Sequence, residues 1–134
     1  MAWIRRLLGQ RRSRLEGHEI DWSPGKLVVT FPGGRMQQVS YQVEGGRVRL
    51  ATTVISSREV RRLEVKSDEI AHLILRRNRA TRIVAFGLGK SDAIEAWVVT
   101  PHATLQRAEL LRYLIALARE GDRFEFLLGR HDRG

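Results

Sequence analysis

The sequence predicts an α+β domain in which helices flank an antiparallel sheet, in the order α–β–β–β–α–β–β–α. Two observations support this fold class. Residues 35–44 and 47–56 alternate between apolar and polar side chains and are joined by a Gly-Gly pair, which is typical of antiparallel strands. Residues 67–79 and 104–120 instead repeat apolar side chains every three or four positions, which is typical of helices.

Length and composition favour one globular domain. The chain has 134 residues, of which 43% are hydrophobic and 29% are charged, and these values are ordinary for such a domain. No apolar run approaches the roughly 20 residues that span a bilayer, so we expect no transmembrane segment. The chain has no cysteine, which excludes disulfides and thiolate chemistry. That composition suits a reducing compartment, and we expect a cytoplasmic protein.

The first 20 residues predict a basic amphipathic helix ahead of a single domain over residues 21–134. Trp3, Ile4, Leu7 and Leu8 recur at helical spacing, with arginines between and after them. Three roles remain open for this helix: docking on the domain or on a second protomer, lying on a membrane surface, or acting as an arm on nucleic acid.

Three strands form the first part of the sheet. Residues 26–31 end at a Pro-Gly-Gly turn, and the alternating segments 35–44 and 47–56 follow. Together they predict an antiparallel meander with one buried face and one wetter face.

A helix and two more strands follow a charged connector at residues 57–66. Ser67 predicts the N-cap of a short helix, and Asn78 predicts its end in a left-handed conformation. Residues 82–88 and 93–99 predict the second strand pair.

The longest helix begins near Thr104 and is predicted to end at Gly121. Asp122 and Glu125 have the spacing of a capping box for one further turn.

The tripeptide Gly-Lys-Ser at residues 89–91 is the feature that most suggests a nucleotide. A phosphate-binding loop ending at Ser91 would have glycine at position 84, where this chain has Val84, and its lysine would open a helix. Here the tripeptide leads into a strand. It therefore predicts a hairpin turn, and no cofactor is expected.

The sequence contains no pattern typical of an enzyme. The four histidines, His18, His72, His102 and His131, occur singly, without the helical i, i+4 partner of a metal site. The acidic residues are accounted for by helix starts and turns. We therefore expect no catalysis and no metal.

Arginines suggest a second hypothesis, in which the chain binds nucleic acid or another acidic surface. They occur in the N-terminal segment and in the run 76–82, where they would also stabilise the C-terminal end of a helix. The residues that would form this basic patch are Arg5, Arg6, Arg11, Arg12, Arg14, Arg76, Arg77 and Arg79.

The second strand pair is apolar on both faces, more than a sheet covered on one side requires. Phe86 and Leu88 alternate with Ile83 and Ala85, and Trp97 lies between Ala96 and Val98. Either a second protomer buries the other face, or that face receives a peptide.

Several local phrases resemble the YbjN-type branch of the type III secretion chaperone-like proteins. They are GGRMQQVSYQV, VRLATTVISS, ILRRNRATRIVAFGL, PHATLQRAELLRYLIALARE and GDRFEFLLGRHD, which together fall within residues 25–132. The resemblance implies a small bacterial α+β homodimer without catalysis, whose apolar surfaces hold an extended segment of a protein client or regulator.

The leading hypothesis is thus a dimeric protein- or peptide-binding domain that uses β-augmentation or groove capture. The candidate sheet residues for core or client are Val39, Tyr41, Val43, Leu50, Val54, Trp97 and Val99. The candidates for helix packing, within the chain or across a dimer, are Leu73, Ile74, Leu111 and Ile115.

Overall fold

A computed structural model describes residues 2–9, 12–80, 83–89 and 92–133. Its elements are α1 (Ala2–Leu8), β1 (Arg12–Leu15), β2 (His18–Ser23), β3 (Lys26–Thr30), β4 (Met36–Glu44), β5 (Arg47–Ile55), α2 (Ser57–Leu63), α3 (Ser67–Ala80), β6 (Ala85–Leu88), β7 (Ile94–Pro101) and α4 (Arg107–Arg133). The strands form one antiparallel sheet in the order β1-β2-β3-β4-β5-β7-β6. The predicted fold class, an antiparallel sheet with flanking helices, is confirmed.

The N-terminal helix is shorter than predicted, because α1 ends at Leu8 and two further strands follow. Glu16 and Gly17 have φ values of 51° and 79°, the left-handed conformations that a two-residue hairpin turn requires. They join β1 to β2. Ser13 of β1 and His18 and Ile20 of β2 are buried. The Glu-Gly pair between two alternating segments was the sequence signal for this hairpin.

The predicted connector after β5 contains α2. The Ser56 hydroxyl accepts a hydrogen bond from the Glu59 amide at 3.2 Å and caps its start. Glu64 ends it in a left-handed conformation with φ of 55°. A short, polar helix of this kind has little apolar periodicity, so the sequence pattern did not predict it.

The predicted breaks in α3 and α4 are absent. Asn78 lies inside α3, which continues to Ala80, and α4 continues through Gly121 to Arg133. At Gly121 the helix lies close to the sheet, since a Cβ there would be 3.4 Å from Val54 Cγ2 and 3.9 Å from Thr52 Cγ2. The glycine is therefore used for close packing rather than to end the helix.

The core lies between one face of the sheet and α4. Leu110, Leu114 and Leu117 are fully buried there. Farther along α4, Phe124 stacks on Phe86 of β6 with ring centroids 4.9 Å apart, which ties α4 to the far edge of the sheet.

Helix α1 packs on the same domain, which is the first of its three predicted roles. Ile4 and Leu8 are buried in the core. Trp3 meets Tyr41 and His102 edge-on, with centroid distances of 5.6 and 5.5 Å. Its apolar face is thus used within the chain.

Candidate functional site: the open face of the sheet

The sheet has one face covered by helices and one open face. On β5 and β7, Leu50 and Val98 form a cross-strand pair and are both buried beneath the helices. The next pair, Arg49 and Val99, points the opposite way, and Val99 is 47% exposed. Alternation along each strand therefore gives the sheet a second, solvent-facing side.

Apolar side chains lie at the centre of that open face. Trp97 pairs with Ala51 on one side and with Ala85 on the other, so the three residues form a row across β5, β7 and β6. Val99 lies on the same face, two residues along β7. We call Ala51, Ala85, Trp97 and Val99 the open-face patch.

Trp97 is held against the sheet from two sides. A Cβ on Gly87 of β6 would be 2.5 Å from Trp97 Cη2, so the outer edge of the indole lies directly on the backbone of β6. The Arg49 guanidinium lies 5.4 Å from the Trp97 ring centroid, a cation–π distance. It is also 3.8 Å from the Glu95 carboxylate. These contacts fix a large apolar surface in place with its outer side exposed to solvent.

Four of the seven predicted sheet residues belong to the core. Val39 and Leu50 are fully buried, and Tyr41 and Val54 are 7% and 8% exposed. The Tyr41 hydroxyl also donates to the Ser23 carbonyl oxygen at 3.1 Å and accepts from the Gly25 amide at 2.9 Å. Tyr41 thus fixes the turn between β2 and β3. All four support the fold and are not presented to a client.

The other three predicted sheet residues reach the surface. Trp97 and Val99 belong to the open-face patch. Val43 is 42% exposed and pairs with buried Val48, so it lies at the margin of the helix-covered face. Periodicity could place these residues in strands, but it could not tell which face the helices cover.

The predicted packing residues also divide into two groups. Leu111 and Ile115 are buried between α4 and the sheet. Leu73 and Ile74 of α3 are half-buried. Leu73 and Leu127 line a groove of about 380 Å³ between α3 and the C-terminal half of α4.

The predicted basic residues do not form one patch. Within the described part of the chain, Arg12 and Arg14 lie on β1, whereas Arg76, Arg77 and Arg79 lie on α3 beside β6. β1 and β6 are the two edges of the seven-stranded sheet, roughly 29 Å apart at the usual strand spacing. Arg11 and the side chain of Arg5 lie outside the described residues, and Arg6 is exposed on α1.

Two of these arginines are engaged by acidic side chains. Arg77 is only 11% exposed and forms a salt bridge with Glu120 of α4, so it joins the two helices. Arg12 donates to Asp21 at 3.0 Å and lies 3.0 Å from Glu19. The hydrogen bond to Asp21, with the charges of Asp21 and Glu19, raises the pKa of Arg12. Arg14, Arg76 and Arg79 are exposed.

Gly89, the first residue of the Gly-Lys-Ser segment, lies in the connection between β6 and β7. β6 ends at Leu88 and β7 begins at Ile94, with Gly89 N donating to Ala93 O at 2.7 Å. Lys90 and Ser91 themselves lie outside the described residues.

The described ranges contain neither a cluster of metal ligands nor a membrane-spanning helix. The His, Asp and Glu side chains of these ranges form no group of three that could hold a metal ion. No helix there is both long enough and apolar enough to cross a bilayer.

Comparison with solved structures supports the fold. The chain is similar to a chain of the HopA1–SchA chaperone–effector complex, with a TM-score of 0.58 and 14% sequence identity over 92% of this chain and 93% of that chain. It is also similar, with a TM-score of 0.49 and 15% identity over the same shares, to a chain of the Yersinia pestis type III secretion chaperone SycH in complex with a fragment of YscM2.

The first of these similarities confirms the type III secretion chaperone-like fold predicted from the sequence. The narrower resemblance to the YbjN-type branch stays a prediction. No protein-family model and no curated protein matches the chain.

Proposed function

We propose that the chain is a non-enzymatic cytoplasmic domain that binds a segment of another protein on the open face of its sheet. The observation that carries this proposal is the open-face patch, in which Trp97 and Val99 lie on the side of the sheet opposite α4. The chaperone-like fold supports it, since one protein of similar fold was solved in a chaperone–effector complex.

The chemistry of the patch favours a particular kind of segment. The patch is narrow, with one residue on β5, one on β6 and two on β7, and Arg47 and Arg49 border it on β5. The whole chain carries a net charge of +9. A partner with apolar residues beside acidic ones would bury Trp97 and Val99 and would complement this charge. We propose such a segment as the client.

Self-association is a second part of the proposal. Leu75 of α3 and Ile83, just after it, are 50% and 54% exposed. Large exposed apolar side chains that form one surface patch are typical of an interface, and we propose that these two belong to such a patch. A homodimer formed through this side of α3 would leave the open face free for a client.

Site-specific photo-crosslinking tests the binding site. A benzophenone amino acid replaces Val99 in one protein and Met36 in another, and both are expressed in the native host. Met36 is 69% exposed and lies on the same open face at the start of β4 but outside the patch, so it is a control for the patch itself. We expect a covalent adduct with a polypeptide from position 99 and none from position 36. Adducts from position 36 alone would contradict the proposed site.

The nucleic-acid hypothesis predicts a different outcome of the same experiment. Because phosphate binding loses affinity steeply between about 50 and 200 mM salt, the yield of crosslinked adduct would fall over that range, and nuclease treatment would remove the adduct. The separation of Arg14 from Arg76 and Arg79, on opposite sheet edges, argues against a single phosphate-binding surface. Salt-sensitive, nuclease-sensitive material in place of a polypeptide would overturn our proposal.

A further inference from the structure

A side chain of α3 hydrogen-bonds to the outer edge of β6. Asn78 Nδ2 donates to the Phe86 carbonyl oxygen at 3.0 Å, and the Phe86 amide donates to Asn78 Oδ1 at 2.7 Å. One carboxamide thus satisfies both main-chain groups of one strand residue. Asn78 is the only asparagine of the chain.

The main-chain groups of Phe86 point away from the sheet. At the end of the hairpin, Gly89 N donates to Ala93 O, so the odd-numbered residues of β6 hydrogen-bond to β7. In an antiparallel pair the intervening residues then point outward. Phe86 and Leu88 are the two residues of β6 with this orientation. An added strand would pair with these outward groups.

We propose that Asn78 acts as a substitute strand residue that closes the β6 edge against pairing with a second copy of this chain. A carboxamide offers one acceptor and one donor in the same plane, as the edge of a neighbouring strand does. Because Phe86 is one of the two outward-facing residues of β6, occupying its main-chain groups prevents a continuous ladder.

The opposite edge is protected in a different way. β1 is four residues long, and Arg12 and Arg14 alternate along it. Short length and charge are common protections of an exposed edge. β6 is also four residues long, but it has no charged side chain. Asn78 therefore supplies at β6 the protection that arginines supply at β1. This inference does not depend on the proposed function.

Hydrogen exchange in the unaltered protein gives the first test. Both outward amides belong to the same strand, but Asn78 accepts only from Phe86. We expect the Phe86 amide to exchange at least about tenfold more slowly than the Leu88 amide. Equal exchange of the two amides would show that the Asn78 contact does not close the edge.

Two substitutions give the second test. Asn78→Ala removes the carboxamide, and Asn78→Leu keeps its approximate size without hydrogen bonds; both residues favour helices more than asparagine does. Circular dichroism would verify folding. At a concentration low enough to keep both variants monomeric, we expect Phe86 to exchange at least about tenfold faster than in the unaltered protein. At higher concentrations we expect sedimentation velocity to show larger species than in the unaltered protein.

A second-site change identifies the edge involved. Leu88→Pro removes an outward amide that β7 does not use, a position where an edge strand tolerates proline. We expect Asn78→Ala combined with Leu88→Pro to return to the oligomeric state of the unaltered protein. Association that persists in the double variant, or no added association in either Asn78 variant, would overturn the proposal.

Discussion

Gly121 offers a quantitative test of how α4 lies on the sheet. A glycine within a helix costs about 1 kcal/mol relative to alanine, so Gly121→Ala removes that cost. The added methyl group would lie 3.4 Å from Val54 Cγ2 and 3.9 Å from Thr52 Cγ2, which are ordinary van der Waals distances. We therefore expect a gain of about 1 kcal/mol in the free energy of unfolding, or roughly 3–5 °C in Tm.

Larger side chains at the same position should lower the free energy of unfolding instead of raising it. Gly121→Leu would place four carbon atoms, three more than Gly121→Ala, between α4 and β5, and overpacking of a dense core costs about 1–3 kcal/mol. Gly45→Ala is the control, since its surroundings are open but its φ is 57°. We expect that variant to lose stability, by about 1 kcal/mol, through backbone strain alone.

Urea denaturation followed by circular dichroism measures all three variants. The structure requires the order Gly121→Ala above the unaltered protein, with Gly45→Ala and Gly121→Leu below it. If Gly121→Ala lowers the free energy of unfolding by more than about 1 kcal/mol, then either α4 ends at Gly121 or the Cβ position there is closer to Val54 than 3.4 Å. If Gly121→Leu is neutral, α4 does not rest on β5 at this point.

Three further outcomes follow from side-chain contacts. Burial raises the pKa of Glu125, nearby Glu59 and Asp122 raise it further, and Arg35 lowers it. A raised pKa means that ionised Glu125 costs stability, so Glu125→Gln should stabilise by less than about 1 kcal/mol at pH 7. The gain should vanish below about pH 4 in pH-dependent denaturation. Glu120→Ala should cost about 2–4 kcal/mol, because the guanidinium that Glu120 engages is nearly buried; a loss under 1 kcal/mol would contradict this. Trp3→Ala should free α1 and expose it to limited proteolysis, and unchanged protease resistance would show that its ring contacts do not hold the helix.

The alternation of β4 and β5 and the periodicity of α4 were sufficient to predict the central fold. Their long segments bury one side against a single partner layer, and such burial leaves a clear repeat in the sequence. β1, β2 and α2 were missed for the same physical reason. All three are short and carry few buried apolar residues, so local turns and caps at Gly17 and Ser56 determine them more than periodicity does.

The candidate site was predictable only in part. The sequence showed that the strand of Trp97 is apolar on both faces, and that observation located the open face. It could not show that Tyr41 and Leu50 lie beneath α4 while Val99 lies opposite, because strand periodicity defines two faces without saying which one is covered. Tertiary packing of α4 decides that question.

The positions of the arginines show a similar limit of sequence patterns. Their clustering in the sequence suggested one basic surface. The sheet order places Arg14 and Arg76 at opposite edges, and Arg77 joins α3 to α4 through Glu120. Proximity along the chain therefore gave the wrong expectation about proximity in space.

The affinity of a Val99→Glu variant for the partner identified by crosslinking is the most direct test of the proposed function. A carboxylate at the centre of an apolar interface should lower the affinity at least about tenfold. Met36→Glu, which places the same charge on an exposed residue outside the patch, should stay within about twofold. Equal affinities of the two variants, measured at the same salt concentration with both proteins folded, would contradict the claim that the open-face patch binds the client.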